Sequence, residues 1–517
     1  MMMAALFSTF VFLSLIYNIY PLLVESCPMY GCRPSGTFSY NLDVKSKVSL
    51  AWPKTFIQGQ YTNSLGCTAN DVSIVCQANG LREEGYVTLI PENGTVAWYG
   101  DILRKPTLPI MSIYGDVIGT DGHNLVMYDA DGKLQPVINL GDNLFPTYSL
   151  TLSEDNGIIA IVSRQGLLIT KESNGIPHAS MEFRAEEQRA NGTFIPVAPP
   201  VVSGHRIYIL TEFRADFNTY RPNDLGMQRL FAIDMKNVMM GRLETAWVYN
   251  FEMLESKIPV VREDQRSQQP LDENQKETGF GVAPQILINT DTNMIYVNLP
   301  PPEGATNAPH LLWGFKDSAN GTDPDVIFKI PQPLSKFAIF ESNNEPLDDK
   351  RRNRSWKTLD TPSRQSISTE KASLWGVSIN RKAILKLNPD DGTVTEQIIL
   401  DSVLNMTSSV ITSKLMVARK LDSTQDILIF GVQVSPTKNG KIVFQDLKSN
   451  KSARSSPKNY IVCLTGNTVN WVYETPNNRE VKGQIAGIRE TSNGGSDMLV
   501  VFTSDSNESE IFALKFE

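Results

Sequence analysis

Four histidines, His123, His178, His205 and His310, have the most direct claim to metal or proton chemistry in this 517-residue sequence. None stands in a His-x-His or His-Glu-x-x-His arrangement, and each lies beside turn-forming residues, so they read as scattered turn histidines. The stretch DADGK at 129–133 opens like a calcium loop. It lacks the alternating oxygen ligands and the distal glutamate that such a loop requires, and a hairpin turn accounts for it more simply. There is no Gly-x-Ser-x-Gly elbow and no glycine-rich phosphate cradle. The one dense basic run, DKRRNRS at 349–355, reads as a solvated loop, with a protease-processing site or a contact for an acidic glycan as the alternatives. No catalytic, cofactor-binding or metal-ligating residue is assigned.

Covalent chemistry is better signposted. Cys27, Cys32, Cys67 and Cys76 cluster near the N-terminus, and in an oxidising compartment four cysteines make two disulfides in one of three pairings. The local pairs, Cys27–Cys32 and Cys67–Cys76, are favoured. Cys463 alternates with apolar neighbours in NYIVCLTG and reads as a small buried hydrophobe. Seven Asn-x-Ser/Thr sequons mark candidate N-glycosylation sites at Asn93, Asn191, Asn320, Asn353, Asn405, Asn450 and Asn507. Residues 1–26 form an apolar run with no Lys or Arg ahead of it, broken by Asn18 and Pro21, with small residues before Cys27. They read as a secretory signal peptide cut after Ser26, the alternative being an uncleaved anchor. A net charge of -8 gives no basic footprint for nucleic acid, and 41% hydrophobic residues suffice for a large core. No membrane insertion is expected after cleavage.

The elements that carry these residues are strands. A phrase of short strand, Gly/Asn/Asp turn and following strand recurs at 85–100, 123–135, 165–177, 228–237, 309–321, 381–394, 458–474 and 509–517. Asn-Gly and Asp-Gly turns at 93–94, 131–132, 174–175 and 391–392 supply the positive φ of tight hairpins. Helical periodicity is nearly absent, so the chain is all-β, and repetition every few tens of residues signals a propeller or a solenoid rather than a sandwich. Each copy is expected to be an inner hairpin that needs its neighbours to bury its faces.

The string AP-x-VV-x-G-x-x-x-YI…LFAID…W-x-Y, best kept at 198–249 with Ala232, Asp234 and Trp247, resembles the repeat of the quinoprotein-dehydrogenase-like (PQQ-like) β-propellers. A second good copy lies at 111–133, with Asp129 and Gly132, while 460–471 keeps Gly466 and Trp471 but has Cys463 and Thr465 in place of Ala and Asp. The resemblance spans 37–517 and implies an eight-bladed propeller, with seven blades as the alternative count. The last copy stops before an outer strand, and KVSLAWPKTF at 47–56, with Trp52, is expected to supply it from the other end of the chain. Trp52, Trp98, Trp247 and Trp471 are expected to pack between blades. The enzymes of this family hold the quinone and a calcium ion at the channel end. Their ligands find no match here, and adjacent cysteines are absent, so the resemblance implies fold and no cofactor is expected.

The domain organisation is thus a leader at 1–26, a disulfide-bearing segment at 27–36, and one propeller at 37–517. Polar insertions fall at about 212–227, 255–280, 341–373 and 435–459. These features lead to a secreted, non-catalytic binding or extracellular-matrix module with an extracellular protein or glycan as partner. The competing readings are an extracellular enzyme using the channel mouth (a quinone-dependent oxidoreductase, a hydrolase or a lyase) and a structural protein of a mineralised or fibrous matrix. Carboxylates converging on one channel end would favour the enzyme, whereas an apolar, plugged channel would favour the binding module.

Overall fold

The computed structural model describes residues 27–517 apart from 60–64, 80–83, 104–105, 113–114, 122–123, 140–150, 153–157, 163–166, 173–176, 184–191, 216–227, 252–283, 301–309, 318–322, 341–371, 407, 420–424, 436–456, 490–495 and 506–507. The leader at 1–26, the insertion at 255–280 and most of the other three insertions therefore lie outside the described residues. Strand Arg206–Ala215 takes in the first residues assigned to the insertion at 212–227, and strand Lys458–Thr465 the last assigned to 435–459.

The strands form eight sheets, numbered here in chain order: sheet 1 at 67–100, sheet 2 at 110–139, sheet 3 at 151–182, sheet 4 at 192–250, sheet 5 at 285–330, sheet 6 at 334–399, sheet 7 at 409–474 and sheet 8 at 480–516. Within each sheet the strands of these spans pair antiparallel in succession, the first being split into two short strands on the same neighbour in sheets 4, 7 and 8. Successive sheets touch through their first strands. Cys67–Ala69 packs on Ile110–Met111, Thr151–Leu152 on Val201–Ser203, Val201–Ser203 on Gln285–Asn289, Gln285–Asn289 on Leu334–Phe340, and Leu334–Phe340 on Met416–Arg419. Glu480–Val481 lies against sheet 7, and Ala486–Ile488 returns to Cys67–Ala69. The chain is an all-β propeller; among the described residues the α-helical content is one turn, α1 (Leu400–Val403). Seven sheets are described with side chains along most of their strands and stand as packed blades, meeting the smaller of the two expected counts. Sheet 3 is described mainly by its backbone pairing.

The repeated phrase proves to be the third long strand of its sheet with, where described, the turn after it, an outer hairpin, which corrects the expectation of an inner one. The reason lies in burial. First and second strands are covered by blades on both faces, so Gln285–Asn289, Met294–Leu299 and Leu334–Phe340 are buried at every position and show no alternation. Outermost strands such as Val394–Ile399 are mainly exposed. Turn residues are the local signal that survives, and they cluster in the outer hairpins.

The last sheet is completed from both ends of the chain. Val48–Leu50 and Phe56–Gln58 pair antiparallel with Ser509–Phe516. Trp52 follows the first of these strands, is buried, and donates from Nε1 to Pro91 O at 2.8 Å in the turn of sheet 1. Trp98 repeats the move onto sheet 2, donating to Ala130 O at 3.2 Å and stacking on Tyr128 with centroids 4.9 Å apart. Trp247 reaches sheet 5, Trp471 meets Phe516 of sheet 8, and in sheet 5 Phe328 lies against Gly392 of sheet 6. Each outer aromatic docks on the hairpin turn or outer hairpin of the following blade, always in the same sense around the ring. An indole or phenyl bridging two blades contributes burial and, for Trp, a positioned donor.

Candidate functional site

In an open propeller the first strand of each blade is a sheet edge, with its inward N–H groups facing the channel. Here residues 27–44 cover those edges. Carbonyls of this segment accept backbone N–H groups from one blade after another: Pro28 O from Met111 in sheet 2 at 2.8 Å, Pro34 O from Val202 in sheet 4 at 2.7 Å, Ser35 O from Ile288 in sheet 5 at 3.1 Å, Thr37 O from Ile339 in sheet 6 at 3.1 Å and Phe38 O from Val417 in sheet 7 at 3.0 Å. Cys27 exchanges two bonds with Ala69 of sheet 1, each 2.9 Å. Ser39–Asn41 then runs parallel to Met416–Arg419, and the Tyr40 hydroxyl donates to Ile485 O in sheet 8. Burial holds the Tyr40 phenol above its ordinary pKa, so it stays a neutral donor. Residues 27–44, which include the disulfide-bearing segment at 27–36, thus form a plug against the inner strands of the ring.

The plug bends twice within eight residues. Its backbone takes the left-handed region at Gly31 and Gly36, and also at Cys32 (φ 65°) and Phe38 (φ 54°), where a side chain makes that conformation costly. Cys27 and Cys32 are bonded to each other across the first bend, and Cys67 is bonded to Cys76 across the facing pair of strands in sheet 1. Gln484 joins all of this at the seam between sheets 8 and 1. Its Oε1 accepts Gly31 N at 2.9 Å, and its Nε2 donates to Met29 O at 3.2 Å and Cys67 O at 2.8 Å. Its own N–H donates to Leu65 O at 2.8 Å.

Other buried polar groups near the inner strands latch one blade to the next. Gln77 Nε2 donates to Pro106 O at 2.7 Å, Gln285 exchanges two bonds with the Phe337 backbone, and Lys336 Nζ donates to Thr412 O and Ser413 O at 3.0 and 3.1 Å. His310 is buried, and its Nε2 donates to Asn298 Oδ1 at 2.7 Å. Burial pushes its pKa down to about 4, so it is neutral at pH 7. His205 is half-exposed, 3.6 Å from the Asp234 carboxylate; His178 is described by its backbone, and His123 lies outside the described residues.

Three buried carboxylates are paired with arginines, one of them across two blades. Asp317, at the turn of sheet 5, accepts Arg206 Nη1 at 2.7 and 2.6 Å, the Tyr208 hydroxyl at 2.5 Å and Trp247 Nε1 at 2.8 Å, all from sheet 4. Asp426 of sheet 7 accepts Trp375 Nε1 of sheet 6 at 2.8 Å and Arg419 Nε at 3.1 Å. Glu510 is fully buried against Arg479, Nη1 to Oε1 at 2.9 Å. Among the described residues no three His, Cys, Asp or Glu side chains converge to hold a metal ion. The stretch at 129–133 is a hairpin turn, with Lys133 N donating to Asp129 Oδ1 at 2.8 Å. Cys463 is free and buried, its pKa pushed up to about 12 by that burial.

Of the seven sequons, Asn93 lies in the exposed turn of sheet 1, its Oδ1 accepting Thr95 N and Oγ1 at 2.9 and 2.7 Å, and Asn405 is exposed in the left-handed region. Asn191, Asn320, Asn353, Asn450 and Asn507 lie outside the described residues. Gln484, the plug carbonyls and the Arg206–Asp317 cluster were not singled out from sequence, because each joins residues far apart in the chain. The signal available was the pair of tight turns written into PMYGCRPSG at 28–36. No helix among the described residues is long and apolar enough to cross a membrane.

No protein-family model matches the chain, and no curated protein does. Solved structures similar to it include BamB from Moraxella catarrhalis, at 11% identity and TM-score 0.42, covering 90% of this chain and 99% of that one. The quinohemoprotein alcohol dehydrogenase from Comamonas testosteroni has 10% identity and TM-score 0.41 over 97% of this chain and 81% of its own. Dihydro-heme d1 dehydrogenase NirN, in complex with DHE, has 10% identity and TM-score 0.44 over 92% and 79%.

Proposed function

We propose that this chain is a secreted, N-glycosylated, non-catalytic binding or matrix module: an eight-bladed propeller, sheet 3 being a full blade, that recognises an extracellular protein or glycan through its outer surface. The plug carries this reading. Residues 27–44 run along the inner strands, and among the described residues the N–H groups of Met111, Val202, Ile288, Ile339 and Val417 are spent on the plug's own carbonyls. Two disulfides fit an oxidising compartment. The insertions support recognition at a face. The chain departs for three of them after Arg206–Ala215, Glu244–Asn250 and Asp426–Val434, strands that run in one direction, while Leu334–Phe340, before the fourth, runs in the other. Three insertions therefore leave the ring on the same side, where loops on a rigid scaffold suit binding.

The test is thermal unfolding of the secreted protein with calcium and pyrroloquinoline quinone, separately and together. A ligand at about 100 times its Kd adds about 2.7 kcal/mol to native stability. No saturable shift is expected. A shift that needs both would overturn the reading and return the channel to enzymology.

A further inference from the structure

We propose that the Cys27–Cys32 bond is a latch that holds the plug in the channel, and that reducing it releases the plug while the blades stay folded. This goes beyond the proposed binding role and does not rest on it.

The plug is a separable unit by construction. One disulfide lies wholly inside it and the other wholly outside, in sheet 1, so no covalent bond other than the backbone ties it to the ring. Residues 45–47 leave it as an exposed strap before Val48–Leu50 begins. Its backbone attachments to sheets 2, 4, 5 and 6 are single hydrogen bonds at successive blades, which can be exchanged for water without disturbing the ladders within a blade, while Ser39–Asn41 pairs with Met416–Arg419 of sheet 7 and Met29, Phe38, Tyr40 and Leu42 are buried against the blades. The shape of the bend adds to the resistance that this burial gives to release. Gly31 and Cys32 are both left-handed, and the bond from Cys27 to Cys32, five residues on, fixes the turn that Gln484 grips through Gly31 N and Met29 O. Without the bond, Cys32 can return to an ordinary φ, and the detached segment gains the freedom the cross-link denied it. Cys27 and Cys32 are 0% and 2% exposed, so a reductant reaches them when the plug opens. A dithiol supplies two electrons and two protons, leaves as its cyclic disulfide, and Cys27 and Cys32 become thiols.

The experiment is hydrogen exchange on the full secreted chain, followed at the amides of Met111, Val202, Ile288, Ile339 and Val417, in wild type and in Cys27→Ser/Cys32→Ser. Exchange at these five is expected to rise together about thirtyfold, the equivalent of about 2 kcal/mol at 1.4 kcal/mol per tenfold. Amides within the sheets, such as those of Ile461 and Val462, should keep their protection. Unchanged exchange at the five would overturn the proposal, and so would an equal rise at every buried amide. A second measurement needs no variant. Wild-type protein is titrated with dithiothreitol and alkylated, and Cys27 and Cys32 should be labelled while Cys67, Cys76 and Cys463 stay protected. Labelling of all five cysteines in one step would show that the plug leaves only when the whole protein unfolds, and would sink the latch.

Discussion

Gly94 lies so close beneath the indole of Trp52 that a Cβ there would stand 2.3 Å from the ring carbon Cδ2. Trp52 comes from the segment after the closing strand of sheet 8 and Gly94 from the turn of sheet 1, so this contact is the outer half of the ring's seam. Gly94 also has φ +68°, in the left-handed region. Gly94→Ala therefore meets both a strained backbone and a rigid ring, and is expected to cost roughly 3 kcal/mol. Gly466 is the control: its φ is +54°, with open space where its Cβ would be. Gly466→Ala should cost only about 1 kcal/mol. Urea denaturation of the two variants checks the difference, and equal losses would mean the Trp52 contact contributes nothing.

Asp317 ties sheet 5 to sheet 4 through three donors at once. Asp317→Ala leaves the buried Arg206 charge, the Tyr208 hydroxyl and the Trp247 indole without their acceptor, and is expected to destabilise the protein by about 3–5 kcal/mol. Arg206→Met/Asp317→Leu removes both charges and should recover more than half of that loss. If the double variant is as unstable as Asp317→Ala, packing rather than an orphaned charge is responsible.

The buried His310 gives stability a pH dependence whose sign follows from its lowered pKa. The unfolded side chain takes up a proton near pH 6.5, whereas the folded one resists until about pH 4. Its neutral, hydrogen-bonded state thus stabilises the fold fully above pH 6.5. That contribution is lost as pH falls from 6.5 to 4, and no further below it. Between pH 7 and 4.5 wild type should lose roughly 2–3 kcal/mol more than His310→Gln, measured by chemical denaturation. Parallel losses in the two proteins would place the titration elsewhere.

Asn93 and Asn405 are exposed and sit in turns, where a glycan meets no packed neighbour. Asn93→Gln and Asn405→Gln should each reduce the mass of the secreted protein by one N-glycan, while enzymatically deglycosylated samples should differ only by the substitution. A variant with unchanged glycan mass would remove that site from the proposed modification pattern.

What was legible in the sequence was local. The recurring strand-and-turn phrase, the two short-range disulfides and the inter-blade role of Trp52, Trp98, Trp247 and Trp471 all rest on neighbouring residues or on turns that need particular side chains. The closing strand at 48–50 was legible because the last repeat ended one strand short. The placing of the hairpins within the blade was misread, since buried first and second strands such as Gln285–Asn289 carry no alternation to mark them as the inner pair. The plug was not legible at all. Ser35, Thr37 and Ser39 have the composition of a surface loop, yet all three are buried, because their backbone carbonyls or strand edges face the inner strands of sheets 5, 6 and 7. The Arg206–Asp317 pair spans 111 residues, and Gln484 meets Gly31 across 453, separations over which spacing carries no information.

The sheet that Val48–Leu50 and Phe56–Gln58 share with Ser509–Phe516 also sets a rule for biosynthesis. Its outer strands are made among the first and its third strand after every other blade. During translation the early segment must wait, unpaired, while more than four hundred residues are added. A product that stops short of residue 509, through a premature stop or a nick in the nascent chain, keeps its other blades but exposes the edge of Met498–Ser504 and strands Val48–Leu50 without a partner. Closure of sheet 8 therefore waits until Ser509–Phe516 has been made.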